Sequence, residues 1–333
     1  EAMSDADKMS RIVEVAPRTW MIYMPIVNVA VLETDDGLVL IDTGMRAAGP
    51  TIKKLINTVS DKPIHTIIYT HGHVDHAYGT WALTEDNPQI IAQADLPARF
   101  DRYLRLRGSL ANYMSQPLAS LPKTRNDLVY PTQTFRDQLT LTIGGEQFIL
   151  RAHRGETDDQ LYVWIPGRKQ LASADYYQGF LPNAGNGKRM QRYPEDWAAA
   201  LREMAAENPE IILPAHGEAL TDPALIKENL TVLADTLQHI VDHSIAELNK
   251  GVRKDLIYQN LQIPEHLLSH PSLEVKYVTH ADISKMVIKN YTGWWDDIPS
   301  HWSPAPFDDS AAEIVQLAGG VSAIDSRARA LMA

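Results

Sequence analysis

Apolar and polar positions along the first two thirds of the chain alternate in short blocks. Val27–Leu32 is apolar, Asp35-Asp36-Gly37 is a turn, and Leu38–Ile41 is a second apolar run, a pattern that predicts a hairpin. Across residues 20–95 such short strands recur between turns. Ile52, Leu55, Ile56 and Val59 repeat at helical spacing within 47–60, and His65–Thr70 reads as a further buried strand. Residues 97–135 resist a simple reading. Arg99, Arg102, Arg105 and Arg107 crowd one stretch, and Pro117, Pro122 and Pro131 interrupt the next. This predicts a helix and then a long irregular segment, either a lid over a site or a solvated surface loop. Strands are predicted at Leu139–Ile143, Gln147–Ala152, Leu161–Ile165, Gln170–Ala174 and Ile211–Leu213, with a helix over 194–206.

The pattern changes after His216. Ile226, Leu230, Leu233, Leu237, Ile240, Ile245 and Leu248 form a stripe at helical spacing, and Gly251 follows where helix ends prefer glycine. Only helical segments and proline-rich turns are predicted from there to about residue 320. The chain therefore divides into an α/β body, residues 1–220, and a mostly helical unit, residues 221–333.

Composition narrows the chemistry. The 333 residues contain no cysteine, which excludes disulfides, thiol nucleophiles and cysteine-ligated metals. Any metal must be held by nitrogen and oxygen. A net charge of −11 argues against nucleic acid as a partner. No apolar run reaches the roughly 20 residues of a membrane span. The charged first twenty residues do not read as a leader, so a soluble protein of cytoplasm or periplasm is expected, with the compartment undecided.

The most informative stretch is Thr70-His71-Gly72-His73-Val74-Asp75-His76. Three histidines and an aspartate lie directly after a predicted buried strand. In an extended loop His71 and His73 point the same way and can converge on one ion, while Asp75 and His76 can turn toward a second. Imidazole and carboxylate suit zinc and leave harder divalent ions such as manganese or iron open.

This H-x-H-x-D-H run resembles that of the metallo-β-lactamase-fold hydrolases, and other family motifs flank it in the family's order. Asp42-Thr43-Gly44, ahead of the run, matches the family's D-T-G, whose aspartate supports the metal loop. Gly155-Glu156-Thr157 stands where many members have G-H-T. Asp175 matches a metal-bridging carboxylate, and His216 in Pro214-Ala215-His216-Gly217 matches the last histidine ligand. The resemblance implies an αββα sandwich with one metal site of His71, His73 and Glu156 and another of Asp75, His76 and His216, Asp175 being shared. His153, Asp158 and Asp159 are alternatives to Glu156 if the loop shifts register. Two divalent ions about 3.5–4 Å apart, zinc first, would bridge a hydroxide that attacks an ester-type bond, with Asp75 and His76 central to catalysis.

Two further segments narrow the branch. Tyr291–Pro299 resembles the Y-x-G-W-[FW]-D-x-x-P of alkylsulfatase-like proteins, and Val315–Gly320 resembles their V-x-L-A-G-G. The resemblance implies a helical dimerisation unit and a homodimer built through it. It also implies a small-molecule substrate with an apolar group, an alkyl sulfate first, with a carboxylic ester, lactone or phosphoester as alternatives. A non-hydrolytic iron protein on the same scaffold is the competing class. One segment departs from the pattern. Alkylsulfatases carry a stretch like H-N-x-Y-T-x-R-G that supplies an acid and sulfate-binding groups, and here it reads Pro182-Asn183-Ala184-Gly185-Asn186-Gly187-Lys188-Arg189. Asn183 is kept and the histidine is lost. Lys188, Arg189 and Arg192 are candidates to replace the missing positive charge, Tyr177 is a candidate pocket residue, and the small loop 184–187 is expected to leave room for a bulkier substrate. Trp294, Trp295 and Trp302 are expected to pack the helical unit.

Overall fold

A computed structural model describes residues 9–114 and 117–332. Residues 1–8 of the charged N-terminal stretch read above and residues 115–116 of the expected lid lie outside them.

Two mixed sheets form the body. The first has seven strands in sequential order: β1 (Arg11–Ala16), β2 (Thr19–Tyr23), β3 (Asn28–Glu33), β4 (Leu38–Ile41), β5 (Ile64–Ile68), β6 (Gln89–Gln93) and β7 (Gln133–Phe135). Pairing is antiparallel from β1 to β4 and parallel from β4 to β7. The second sheet runs β12-β11-β10-β9-β8, from β8 (Gln138–Ile143), β9 (Glu146–Ala152), β10 (Leu161–Ile165), β11 (Gln170–Ala174) and β12 (Ile211–Pro214). Its β8–β11 meander is antiparallel, and β11 and β12 are parallel.

The burial pattern explains why the sheets stack. Strands β3, β4, β10 and β11 are buried on both faces, and β4 and β10 read as continuous apolar runs. Met21, Leu32, Val39 and Ile68 of the first sheet meet Phe148, Leu150, Val163 and Leu213 of the second in a shared core. The outer face of the first sheet packs Val29, Leu40 and Ile67 against α1 (Gly49–Ile56) and α2 (Leu96–Arg105). The outer face of the second packs Tyr162, Leu171 and Ile212 against α4 (Pro194–Ala206) and α5 (Pro223–Asn249). The order helix, sheet, sheet, helix is the expected sandwich.

The helix at 107–114, α3 (Arg107–Met114), lies between α2 and α4 in sequence. The stretch 97–135 is thus more ordered than its prolines imply: two helices, two short helical turns and β7. The early hairpin β1–β2 was not evident, because β1 is a partly exposed edge strand with little apolar alternation. The helical part continues with α6 (His280–Tyr291), α7 (Phe307–Leu317) and α8 (Val321–Met332). α5 is held by Asp222, whose carboxylate accepts from the Ala224 and Leu225 amides. Its stripe of Ile226, Leu230, Leu233, Leu237 and Ile240 joins the same core as α4, so the helical part is continuous with the body.

The tryptophans correct an expectation. Trp294 and Trp302 are largely exposed and stack on one another with centroids 5.6 Å apart. They pack among themselves and not into the core of the helical part, because the short turn Pro299–Trp302 buries none of its residues. Trp295 alone is partly covered, against the edge of Trp302.

Candidate metal centre

Four parallel strands, β4, β5, β11 and β12, and the antiparallel β9 are followed by loops that carry ligand-type side chains, as open sheets tend to place their ligands at carboxyl ends. Asp42 follows β4, His71 to His76 follow β5, Glu156 lies between β9 and β10, Asp175 follows β11 and His216 follows β12. Two of these turns use left-handed backbone at non-glycine residues: Asp42 has φ 65° and Ala174, before Asp175, has φ 49°. Such conformations cost about 1–3 kcal/mol each and persist where the surroundings over-determine them.

Asp42 shows that over-determination. Its buried carboxylate accepts from the Thr70 amide at 2.8 Å, the Thr70 hydroxyl at 2.7 Å and His76 Nδ1 at 2.8 Å. The last bond commits the other nitrogen, Nε2, to the cluster, 3.4 Å from both Asp75 Oδ2 and Asp175 Oδ1. His216 is oriented in the same way. Its Nδ1 donates to the Ile26 carbonyl at 2.7 Å, and its Nε2 stands 3.2 Å from Asp175 Oδ1 and 3.8 Å from Asp75 Oδ2. On the other side, His71 Nε2 and His73 Nδ1 converge to 3.0 Å, and His71 Nε2 is 3.9 Å from Asp175 Oδ2.

Two groups result, each with its ligand-type atoms within 4.8 Å of one another: His71, His73, Glu156 and Asp175, and Asp75, His76 and His216. Asp175 touches both, one oxygen toward each. The alternatives to Glu156 point elsewhere. His153 binds Glu203 through Nε2, Asp158 pairs with Arg99, and Asp159 accepts from the Gly72 amide at 2.7 Å.

Burial disfavours charge on His71 and His73 and holds both well below the usual imidazole range, the neutral state a metal needs. Burial also opposes charge on His216, but Asp175 overrides it and lifts the imidazole to about 9. Burial pushes Glu156 up to about 8 against the pull of Arg192. The donor set fits divalent cations on one further observation. Among the described residues, His76 Nε2, Asp175 Oδ1 and Glu156 Oε2 are buried without a hydrogen bond of normal geometry, and all three belong to the cluster. Buried polar atoms are rarely left so.

A cavity of about 430 Å³ opens on the cluster. His73, Asp75, Glu156, Asp175 and His216 form its floor. Ile26, Met45, Val74, Phe180 and Tyr277 give it apolar walls, and Gln178, Asn183 and Arg189 are its other polar groups. Three expected pocket residues are not there. Tyr177 is buried and accepts a hydrogen bond from Asn229. Lys188 projects into solvent. Arg192 is buried behind Glu156, to which it donates. The loop 184–187 gives no extra room either: a Cβ on Gly185 would collide with the Ile283 amide nitrogen, so the loop is pressed on α6.

One supporting residue escaped the sequence reading. Arg99 is a buried cation that donates to Asp158 and, at 2.9 Å, meets Asp159. Asp159 in turn holds Gly72, between the two histidines, where a Cβ would sit 3.0 Å from Arg99 Cδ. The signal was periodicity: Leu96, Arg99, Phe100 and Tyr103 share the buried face of α2.

Comparison with known proteins bears on the family and the fold. The family described as the metallo-beta-lactamase superfamily matches residues 23–216, and the alkyl sulfatase dimerisation family matches residues 254–333. A linear primary-alkylsulfatase of Pseudomonas sp. is 27% identical over 87% of this chain and 60% of its own length. An alkyl/aryl-sulfatase of Saccharomyces cerevisiae is 25% identical over 92% of this chain and 52% of its own length. The chain thus spans little more than half the length of these relatives. The solved stereoselective inverting sec-alkylsulfatase Pisa1 from Pseudomonas sp. superposes with a TM-score of 0.82 at 19% identity, over 97% of this chain and 56% of that one.

Replacing Arg99 with Met leaves the Asp159 carboxylate buried without its cation. We expect a loss of about 3–5 kcal/mol in urea denaturation. A midpoint equal to that of the wild type would show that the Gly72 anchor does not depend on Arg99.

Proposed function

For a chain that belongs to the metallo-beta-lactamase superfamily and carries an alkyl sulfatase dimerisation domain, we propose a metal-dependent hydrolase of sulfate esters of apolar alcohols. The observation that carries this reading is the paired donor groups sharing Asp175 at the floor of a half-apolar pocket. His71, His73 and Glu156 would hold one divalent ion and Asp75, His76 and His216 a second, with Asp175 common to both and zinc the expected metal. Ions held there would supply water activation and polarisation of the ester oxygen.

The chain's own residues do the rest. Asp75 lies on the pocket floor with its carboxylate kept ionised. Burial works to raise it, but the His76 imidazole prevails and holds it below the usual carboxylate range. It is the group placed to accept a hydrogen bond from an attacking water. Arg189, the only cationic lysine or arginine side chain on the described wall, is the partner for an anionic sulfate. Ile26, Phe180 and Tyr277 receive the apolar chain and exclude water from it. The Asp42 carboxylate and the Ile26 carbonyl set the tautomers of His76 and His216.

A second reading has its own support. Pro182 occupies the place of the acid in the sulfatase pattern, and neither Lys188 nor Arg192 adds charge to the pocket. A carboxylic ester or lactone needs less positive charge and a weaker acid, so neutral esters are the alternative substrates on the same floor. The exposed Trp294, Trp302, Phe307 and Leu317 in the dimerisation domain favour assembly into a homodimer through residues 221–333, with residues 1–220 as the catalytic unit.

Elemental analysis of metal-loaded protein should find about two divalent ions per chain, and chelation should abolish hydrolysis. Less than one ion per chain would sink the reading. Arg189→Ala should raise KM for an alkyl sulfate by roughly 10–100-fold while leaving a neutral p-nitrophenyl ester nearly unaffected, the loss of a hydrogen bond to a charged group being worth about 1.5–3 kcal/mol. Equal effects on both substrates would favour the neutral-ester reading. Light scattering should give twice the chain mass of 37.2 kDa, and Trp302→Glu should shift it toward the monomer. A wild-type protein that scatters as a monomer rejects the dimer.

A further inference from the structure

The segment that enters α4 carries a residue placed to do a different job from the one its charge first implied. Arg192 is 1% exposed, so no substrate reaches it. Its Nη1 donates to Glu156 Oε1 and, at 2.9 Å, to the Asn183 carbonyl on the pocket wall. Its backbone is set by two contacts. The Arg192 amide points at Met286 Sδ of α6, and the next amide, Tyr193, donates to the Gly155 carbonyl at 3.0 Å. The Glu156 backbone is fixed separately, its amide donating to Gln160 Oε1 at 3.0 Å. One carboxylate oxygen of Glu156 is therefore taken. The other, Oε2, is buried without a hydrogen bond of normal geometry, and Glu156 belongs to the group formed with His71, His73 and Asp175.

Charge counting gives this contact a meaning. The group of His71 and His73 contains one unshared carboxylate, Glu156, and the group of His76 and His216 contains one, Asp75. The second is open to the pocket. The first borders the same cavity but is the more deeply buried of the two, so an extra negative charge there is costly. Arg192 cancels it, and does so from behind, on the side away from the cavity.

We propose that Arg192 is a positioning residue that occupies one oxygen of Glu156 and turns the other into the cluster, so that the Glu156–Arg192 pair serves as a neutral donor in place of an imidazole. The inference rests on the two-ion reading above and concerns one of those ions only. It has a reciprocal consequence. With Glu156 present, Arg192 strengthens the site. With a histidine at 156, the same guanidinium is an unpaired cation facing the bound ion, and it weakens the site.

The test is zinc affinity, measured step by step on the full chain by competition with a chromophoric chelator, with folding checked by urea denaturation. Arg192→Met should weaken one of the two zinc ions by about 10–100-fold and leave the other within about threefold. Arg192→Lys keeps the charge but lacks the fork that spans Glu156 and Asn183, and should weaken the same ion by a smaller factor. In the Glu156→His background the sign reverses: Glu156→His with Arg192→Met should bind that ion roughly tenfold more tightly than Glu156→His alone, as expected for removing a like charge near the ion. A residue with a merely structural role would lower stability and both affinities together. Unchanged steps in Arg192→Met, equal weakening of both ions, or no gain in the double variant overturns the proposal while the two-ion reading stands. Should Arg192→Met not fold, unchanged steps in Arg192→Lys overturn it. Wild-type protein that takes up less than one zinc overturns the metal reading and this proposal with it.

Discussion

The carboxylate of Asp42 is the point on which the centre hangs. It is buried at the end of β4 and accepts three hydrogen bonds from the loop after β5. Two of them come from Thr70 and fix where the loop begins. The third comes from His76 and fixes which ring nitrogen faces the cluster. Burial of a carboxylate is costly unless its lone pairs are filled, and here the filling groups are those that need placing. The Thr43 amide completes the clasp by donating to the His76 carbonyl at 2.7 Å. A left-handed Asp42 is tolerated because so many bonds hold it there.

The second sheet repeats the device with different parts. Ala174 takes the left-handed turn, and Asp175 after it reaches into the seam between the sheets. The seam itself is bonded. The Leu161 amide donates to the Thr70 carbonyl at 2.9 Å, and the Asn28 amide to the Ala215 carbonyl at 2.7 Å. Each bond joins one sheet to the other within a residue or two of a cluster histidine. The two donor groups therefore move with the sandwich and not with independent loops, which is the rigidity that a shared carboxylate such as Asp175 requires.

Legibility along the chain depended on the range of the interaction involved. The run His71 to His76 was legible because four donors fall within six positions, and strands such as β4 and β10 were legible because burial on both faces leaves unbroken apolar runs. Glu156, Asp175 and His216 emerged from motif order. Arg192, expected to bring charge to the pocket, and Arg99, read only as part of a cluster of arginines, have in common that their partners Glu156 and Asp159 lie far away along the chain. For Arg99 the helical periodicity held the answer. For Arg192 no local pattern did, since Pro194 opens α4 two residues later and the residues before it are irregular. The exposed stack of Trp294 and Trp302 shows another error, apolar residues assumed to be buried by their own domain.

The pocket is also shaped by the helical part, and the altered segment 182–189 shows how. Leu181 donates its amide to the Glu274 carbonyl at 3.1 Å, Gly185 lies against the backbone at the start of α6, and Arg192 rests on Met286 of the same helix. Tyr277, from the turn before α6, meets Phe180 with ring centroids 5.4 Å apart, and both line the cavity. The segment around Pro182 thus takes its path from α6 and the turn before it. Gly185 is needed there for close approach, since any side chain would push the loop off the helix and carry Asn183 with it. The shape of the pocket and the packing of the helical part are consequently one problem: a change at the α6 contact alters the wall of the pocket before it alters the donors on its floor.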